Sequence, residues 1–216
     1  MSHFVAPGAA AVFARYEARR LEEETRVAVL DTADGPRLRD QFLLSVGPEV
    51  GGFLHALVLA QRPRRIIEIG TSYGYSTVFL ADAAAAVGAR LVTMELDAAK
   101  QAHARAEITA AGLAGVVDFR LGDAVRMLGE EPGPIDLVLM DLWKDLYVPC
   151  LHALYDRLAP AGIIVADNMI HPERARPAVR EYRAALAAKG DLRSTLLPIG
   201  SGIEVSVRWP AGHQNL

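Results

Sequence analysis

The sequence has little cysteine, no long uncharged apolar run and no basic tract. Cys150 is the single cysteine among 216 residues, so no disulfide can form within the chain. That fits a reducing compartment. Cys150 follows Pro149 in an apolar stretch and reads as buried filler rather than as a metal ligand or nucleophile. No apolar stretch is long enough to span a membrane without charges. The N-terminus has no basic region followed by an apolar core, so no signal peptide is read there, and the cytoplasm is the expected location. Lysine and arginine total 23 against 26 acidic residues, a net charge of −3. This balance argues against the nucleic-acid backbone as the dominant partner. The arginines fall in helix-like segments (Arg15, Arg19, Arg20; Arg174, Arg176, Arg180, Arg183) and read as solvated helix faces. There is no internal repeat and no low-complexity segment.

What is present is a globular composition, 51% apolar and 23% charged, over a length that suits one domain, 1–216. Ala9 to Ala33 is helix-like, "DGPRLRD" is a loop, and "PEVGGFLHALVLAQ" reads as a helix with Pro48 in its first turn. Strands and helices then alternate. Strands are expected at Arg65–Ile69, Leu91–Met94, Val116–Leu121, Ile135–Met140 and Ile163–Ala166. Helices are expected at Ser76–Val87, Ala98–Ala111 before Gly112, a short one from Asp123, Val148–Leu158 and Glu173–Ala188. Two closing strands, Ser194–Pro198 and Ile203–Arg208, flank the turn "IGSG" with no helix between them. The pattern predicts an α/β fold: a mostly parallel sheet covered by helices on both faces, with an antiparallel hairpin at its C-terminal edge. Ligands of such sheets bind beyond the carboxyl ends of the strands, so those residues are the ones to read.

The first strand ends in "EIGTSYGYS", where Gly70 and Gly74 bracket a tight turn into a helix, preceded by Glu68. The spacing is not the G-x-G-x-x-G of dinucleotide folds. The second strand ends at Glu95, about one βα unit later. An acid there accepts from ribose hydroxyls, or is a surface acid favoured by the next helix N-terminus. Glycine turn and acid together indicate nucleoside binding. Asp123, after the third strand, either accepts from an adenine amino group or caps the short helix. The fourth strand ends at Asp141 and the fifth at Asp167, followed by Asn168. Three oxygen-bearing side chains at neighbouring strand ends suit a hard cation such as Mg²⁺; the alternative is that each aspartate caps the following helix. Lys144 beside a cation can have a depressed pKa and accept a proton near neutrality, or can simply pair with Asp145 at the surface.

E-x-G-x-x-x-G-Y-S from Glu68 to Ser76, the acid Glu95, "DLWKDLY" from Asp141 and "ADNMIHP" from Ala166 resemble the cation-dependent, S-adenosylmethionine-dependent O-methyltransferases. The resemblance is closest to catechol O-methyltransferase, which carries D-x-W-K-D-x-Y at the fourth strand and A-D-N-x-I-x-P at the fifth. The caffeoyl-CoA relatives carry D-A-D-K instead, so Trp143 points to the catechol branch. The likeness covers about Leu44 to Arg208. It implies a Rossmann-like class I methyltransferase fold with seven strands, in which 46–216 is the cofactor-binding and catalytic core and 1–45 a helical extension with an acceptor-side loop. It implies a divalent cation, Mg²⁺ by preference, on Asp141, Asp167 and Asn168, and Lys144 as general base. Methyl-donor contacts are implied at the Val46 backbone, Glu68, Gly70, Ser72 and Ser76. Glu95 would hold the ribose, Asp123 the adenine region, and Asp141 and Trp143 would lie near the donor. Lys144, Asn168 and Pro172 would meet an aromatic acceptor. A homodimer through the N-terminal helices is a further implication.

Two positions depart from the catechol pattern. Leu142 stands where a histidine follows the first metal aspartate, and the stretch "STLLPIG" lacks the glutamate that bonds the second catechol hydroxyl. Glu204 lies later and is expected to point elsewhere. The expected reaction is methyl transfer from S-adenosylmethionine to a hydroxyl of a small vicinal-diol aromatic. The alternative acceptor is a hydroxylated nucleoside in tRNA. A nicotinamide oxidoreductase is disfavoured by the glycine spacing, and a non-catalytic nucleotide binder by the presence of Lys144 with the full oxygen set.

Overall fold

The computed structural model describes residues 4–29 and 41–209. The elements are α1 (Pro7–Val29), α2 (Pro48–Gln61), β1 (Arg65–Ile69), α3 (Tyr75–Val87), β2 (Arg90–Glu95), α4 (Ala98–Ala110), β3 (Val117–Leu121), α5 (Ala124–Glu130), β4 (Ile135–Met140), α6 (Tyr147–Tyr155), β5 (Leu158–Ala166), α7 (Arg176–Ala188), β6 (Leu192–Leu197) and β7 (Ile203–Arg208). The expected loop "DGPRLRD" and the end of the first expected helix lie outside the described residues.

One seven-stranded sheet has the order β3-β2-β1-β4-β5-β7-β6. β1 to β5 pair in parallel, and β7 runs antiparallel between β5 and β6. The parallel strands are apolar on both faces because both are covered. Ile66, Leu137, Leu139 and Val165 pack with Val12, Leu54 and Phe79 from α1, α2 and α3. Ile67, Val138, Met140 and Ala166 pack with Leu128, Leu151 and Tyr182 from α5, α6 and α7. Successive residues thus alternate between two cores, which explains continuous apolar runs with no polar face.

From β1 the chain moves outward to β2 and β3, then returns to place β4 on the other side of β1. The order reverses between β1 and β4, the position at which open α/β sheets hold their ligands. Gly70 and Asp141 follow the two strands that meet there.

The largest boundary differences from expectation are at α6 and β5. The helix expected to reach Leu158 stops at Tyr155, and β5 begins at Leu158 rather than Ile163. Pro160 and Gly162 lie inside the strand, at a register irregularity opposite Ile135 and Leu137. Ala161 there has φ 61°. An irregular stretch of this kind admits a proline that a regular ladder would reject.

Candidate active site

The strand ends are tied to one another by backbone hydrogen bonds. Gly70 N and Thr71 N donate to Met94 O at 3.0 and 3.1 Å, Asp141 N to Ile69 O at 2.9 Å, and Asp167 N to Met140 O at 3.0 Å. The ladder therefore runs past the last residues of β2, β1, β4 and β5. Gly70 has φ +100°, and a Cβ there would sit 2.0 Å from the Asp141 carbonyl oxygen. No other residue allows β1 and β4 to end this close together.

Beyond β1, Gly74 N donates to Thr71 O at 2.9 Å and Gly74 leads into α3. Glu68 is completely buried beneath this turn. Its carboxylate accepts from the hydroxyls of Ser76 (2.6 Å), Thr77 (2.7 Å) and Thr93 (2.6 Å). Burial pushes the Glu68 carboxyl up to about 7, against the three hydroxyl donors, while the Asp141 charge adds to the rise. Glu68 and Ser76 thus spend their polar atoms on each other. Glu95 lies above the same turn. It accepts from Ser72 N (2.7 Å), Leu96 N (2.8 Å) and Asp97 N (2.9 Å), which leaves acceptor capacity on the carboxylate.

At the ends of β4 and β5, Lys144 comes together with Asp141. The Lys144 Nζ lies 4.0 Å from Asp141 Oδ1, and its ion-pair partner is Asp141 rather than Asp145. Nζ donates to Leu142 O (3.1 Å) and to the Tyr147 hydroxyl (2.5 Å). Tyr147, buried between α6 and the sheet, lies within donor range of Met140 O (2.8 Å) and Asp167 O (3.1 Å). Burial lowers the Lys144 ammonium, with Asp141 and Asp167 opposing. Burial also raises Asp141 and takes Asp167 up to about 8, the latter helped by the Asp141 charge. Asp167 Oδ1 is buried without a hydrogen-bond partner. Asn168 follows at φ 53°, in a segment held by Met169 N to Gly202 O (2.9 Å) and Ile170 N to Ser201 O (2.9 Å).

Among the described residues no three His, Cys, Asp or Glu side chains form a metal cluster. The candidate set is two carboxylates and one amide oxygen. An orphaned buried carboxylate oxygen beside a second raised carboxyl is what a hard cation would correct, so the residues fit one.

The remaining expected residues take separate places. Asp123 accepts from Arg126 N at 2.7 Å and caps α5, the second of its two readings. Val46 is buried, with its carbonyl 3.2 Å from where a Gly200 Cβ would sit in the β6–β7 turn. Pro172 precedes the short turn Glu173–Ala175. Trp143 is 57% exposed just after β4, while Leu96 and Leu121 are 75% and 51% exposed at the ends of β2 and β3. These exposed apolar side chains stand on either side of the β1 end, Leu96 and Leu121 on one side and Trp143 on the other, and suit the faces of a purine ring.

A methyltransferase-domain family model matches residues 67–169. A catechol O-methyltransferase of Niastella koreensis is 34% identical over 167 residues, covering 71% of this chain and 75% of that protein. The chain belongs to the S-adenosylmethionine-dependent O-methyltransferases related to catechol O-methyltransferase. A catechol O-methyltransferase of Mycobacterium tuberculosis is 37% identical, covering 67% of this chain and 63% of that protein. Among solved structures, the O-methyltransferase TomG of Streptomyces achromogenes, involved in tomaymycin synthesis and solved with S-adenosylmethionine, superposes with a TM-score of 0.74 at 25% identity. It covers 92% of this chain and 90% of that one.

In this methyltransferase Glu204 does not replace the missing acid. It pairs with Ala166 across β5 and β7, is buried, and lies 3.3 Å from Arg183 Nε of α7. Sequence reasoning gave no role to Tyr147, Thr77, Thr93, Leu96 or Leu121. Tyr147 had a signal in its spacing, three residues from Lys144 at the start of a helix. Thr77 and Thr93 had none, because their partner Glu68 comes from another strand.

Proposed function

We propose that this methyltransferase moves the methyl group of S-adenosylmethionine to one hydroxyl of a small vicinal-diol aromatic, with a divalent cation on Asp141, Asp167 and Asn168. The observation that carries this reading is the part-buried pair Lys144 and Asp141 beside the buried Asp167, which has an unpartnered carboxylate oxygen. We assign the donor to Gly70, Ser72 and Glu95, with the Val46 backbone at its amino-acid end. Glu68 and Ser76 hold the turn that carries it. Leu96, Leu121 and Trp143 would flank the adenine. Residues 1–216 would act as one catalytic domain, with the first 45 as a helical extension and an acceptor-side loop.

The cation, when bound, would supply positive charge that favours ionisation of the acceptor hydroxyl. Lys144 takes the proton. Its two hydrogen-bond acceptors, Leu142 O and the Tyr147 hydroxyl, account for both N–H groups of a neutral amine and leave its lone pair open. Burial favours that neutral form. The acceptor oxygen then forms a bond to the methyl carbon as the carbon–sulfur bond breaks, with the electron pair going to sulfur. The chain's main contribution is alignment of oxygen, carbon and sulfur away from water. With no acid in place for the second hydroxyl, we expect looser choice between the two oxygens than a catechol O-methyltransferase makes. The tRNA acceptor is not carried forward, since the relatives above are named for catechol and tomaymycin chemistry.

The test is release of S-adenosylhomocysteine with catechol, dihydroxybenzoate and caffeate, with Mg²⁺ and with chelator. Chelator-sensitive turnover is expected. Turnover unaffected by chelator would remove the cation from the mechanism. Donor binding without turnover on any diol would remove the acceptor class.

A further inference from the structure

The N-terminal helix touches the glycine turn directly. Tyr16, 3% exposed, donates its hydroxyl to Tyr73 O at 2.5 Å. The same hydroxyl lies 2.9 Å from where a Gly74 Cβ would be, so glycine at 74 is what admits it. One residue on, Glu17 accepts from the Tyr75 hydroxyl at 2.7 Å. Arg19 lies over the Tyr73 ring at 4.1 Å and donates to Gln41 O at 3.1 Å. Glu23 accepts from Leu43 N at 2.7 Å, three residues before Val46. A single helix therefore braces the donor turn and the segment leading to Val46. The start of the helix is itself anchored. Val5 N and Ala6 N both donate to the buried Asp82 at 2.8 Å, and His55 Nε2 pairs with the same carboxylate at 2.8 Å.

We infer that α1 is part of the donor-binding apparatus, with Tyr16 as the positioning residue that holds the glycine turn in its binding shape. Tyr16 acts through the Tyr73 carbonyl and touches no reacting atom. Without the hydroxyl, that carbonyl loses its donor and the turn gains alternatives that bind the donor less well. By linkage, the coupling runs both ways: whatever affinity the docked helix adds to the donor, the donor returns as tighter docking of the helix. The inference rests on the assignment of the donor to this turn.

Tyr16→Phe in the full chain tests it. Calorimetric titration with S-adenosylhomocysteine is expected to show affinity about five- to tenfold weaker than wild type, from loss of one hydrogen bond to a part-buried carbonyl. KM for the methyl donor should rise in parallel, while kcat at saturation and KM for the diol change less than about twofold. A merely structural role would lower melting temperature without that split. Equal affinities, or an equal loss for donor and diol, would overturn the inference. Hydrogen exchange of the wild type supplies the second measurement and needs no variant. S-adenosylhomocysteine should slow amides of Glu17 to Arg20 more than those of α7. Equal slowing in the two helices would overturn the coupling, as would none in α1. Absence of any S-adenosylhomocysteine binding by wild type would instead overturn the donor assignment beneath it.

Discussion

Replacing Glu68 by glutamine should change how stability depends on pH. Glu68 is completely buried and its carboxyl is pushed from 4.5 to about 7, chiefly by burial. In the unfolded chain it returns to its ordinary value. The folded state thus holds a proton that the unfolded state has released between about pH 4.5 and 7. The neutral carboxyl's contribution is fully present below pH 4.5 and is lost as pH rises through 7. A rise from 4.5 to about 7 corresponds to about 3 kcal/mol. Asp141, Asp167 and Glu204 are raised too and add slopes of the same sign, so the wild-type curve alone cannot isolate Glu68. The difference between wild type and Glu68→Gln can. Urea unfolding, followed by tryptophan fluorescence with chelator present, gives both curves from about pH 4 to 8.5. Glutamine puts an NH2 group, which cannot accept, where the neutral carboxyl has an O–H oxygen that both donates and accepts among the three hydroxyls, so the variant should be less stable at acid pH. The deficit should shrink by about 3 kcal/mol on going to pH 8. Curves parallel to within about 0.5 kcal/mol would refute the reasoning, because they would mean the carboxyl titrates alike in both states.

Lys144→Ala should cut kcat by roughly 10²–10⁴ while leaving S-adenosylhomocysteine affinity near wild type. A near-normal rate in a single-turnover assay would remove Lys144 as the proton acceptor. Asp141→Ala should abolish the part of turnover that chelator removes, and full retained activity would end the metal assignment. Gly70→Ala should destabilise by at least about 3 kcal/mol, since it combines a left-handed backbone with a clash against the Asp141 carbonyl. A melting temperature unchanged by that substitution would show that the β1 and β4 ends can separate freely.

The fold was legible where local pattern and tertiary environment agree. β1, β4 and β7 follow continuous or alternating apolar runs with clear stops, and α2 matches its Pro48 start. β5 was harder, since Pro160 and Gly162 carry the signature of a turn while only pairing with β4 holds them in a strand. The residues of the proposed cation site stand out in the sequence because each ends or follows a strand, and β4 and β5 are adjacent in the sheet. Glu68 was readable as the acid before the glycine turn, but its cage of Ser76, Thr77 and Thr93 depends on contacts between β1, β2 and α3. The α1 brace was unreadable for the same reason. Tyr16, Glu17 and Arg19 look like an ordinary amphipathic face until α1 is set against the turn at Tyr73.

The backbone ladder that joins Met94, Gly70, Asp141 and Asp167 makes the sheet a ruler for the reaction. The glycine turn and the proposed cation ligands follow the adjacent strands β1, β4 and β5. From β1 to β5 these strand ends therefore span about two strand spacings, or ~10 Å, along the hydrogen-bonding direction. That direction is among the stiffest in a protein, since stretching it breaks peptide hydrogen bonds rather than shifting side chains. Loops beyond the strand ends, with residues such as Leu142 and Pro172, can lengthen, shorten or exchange side chains without altering the spacing of the strand ends themselves. One scaffold can thus serve many acceptors, with specificity free to drift while the transfer geometry stays where the strands put it.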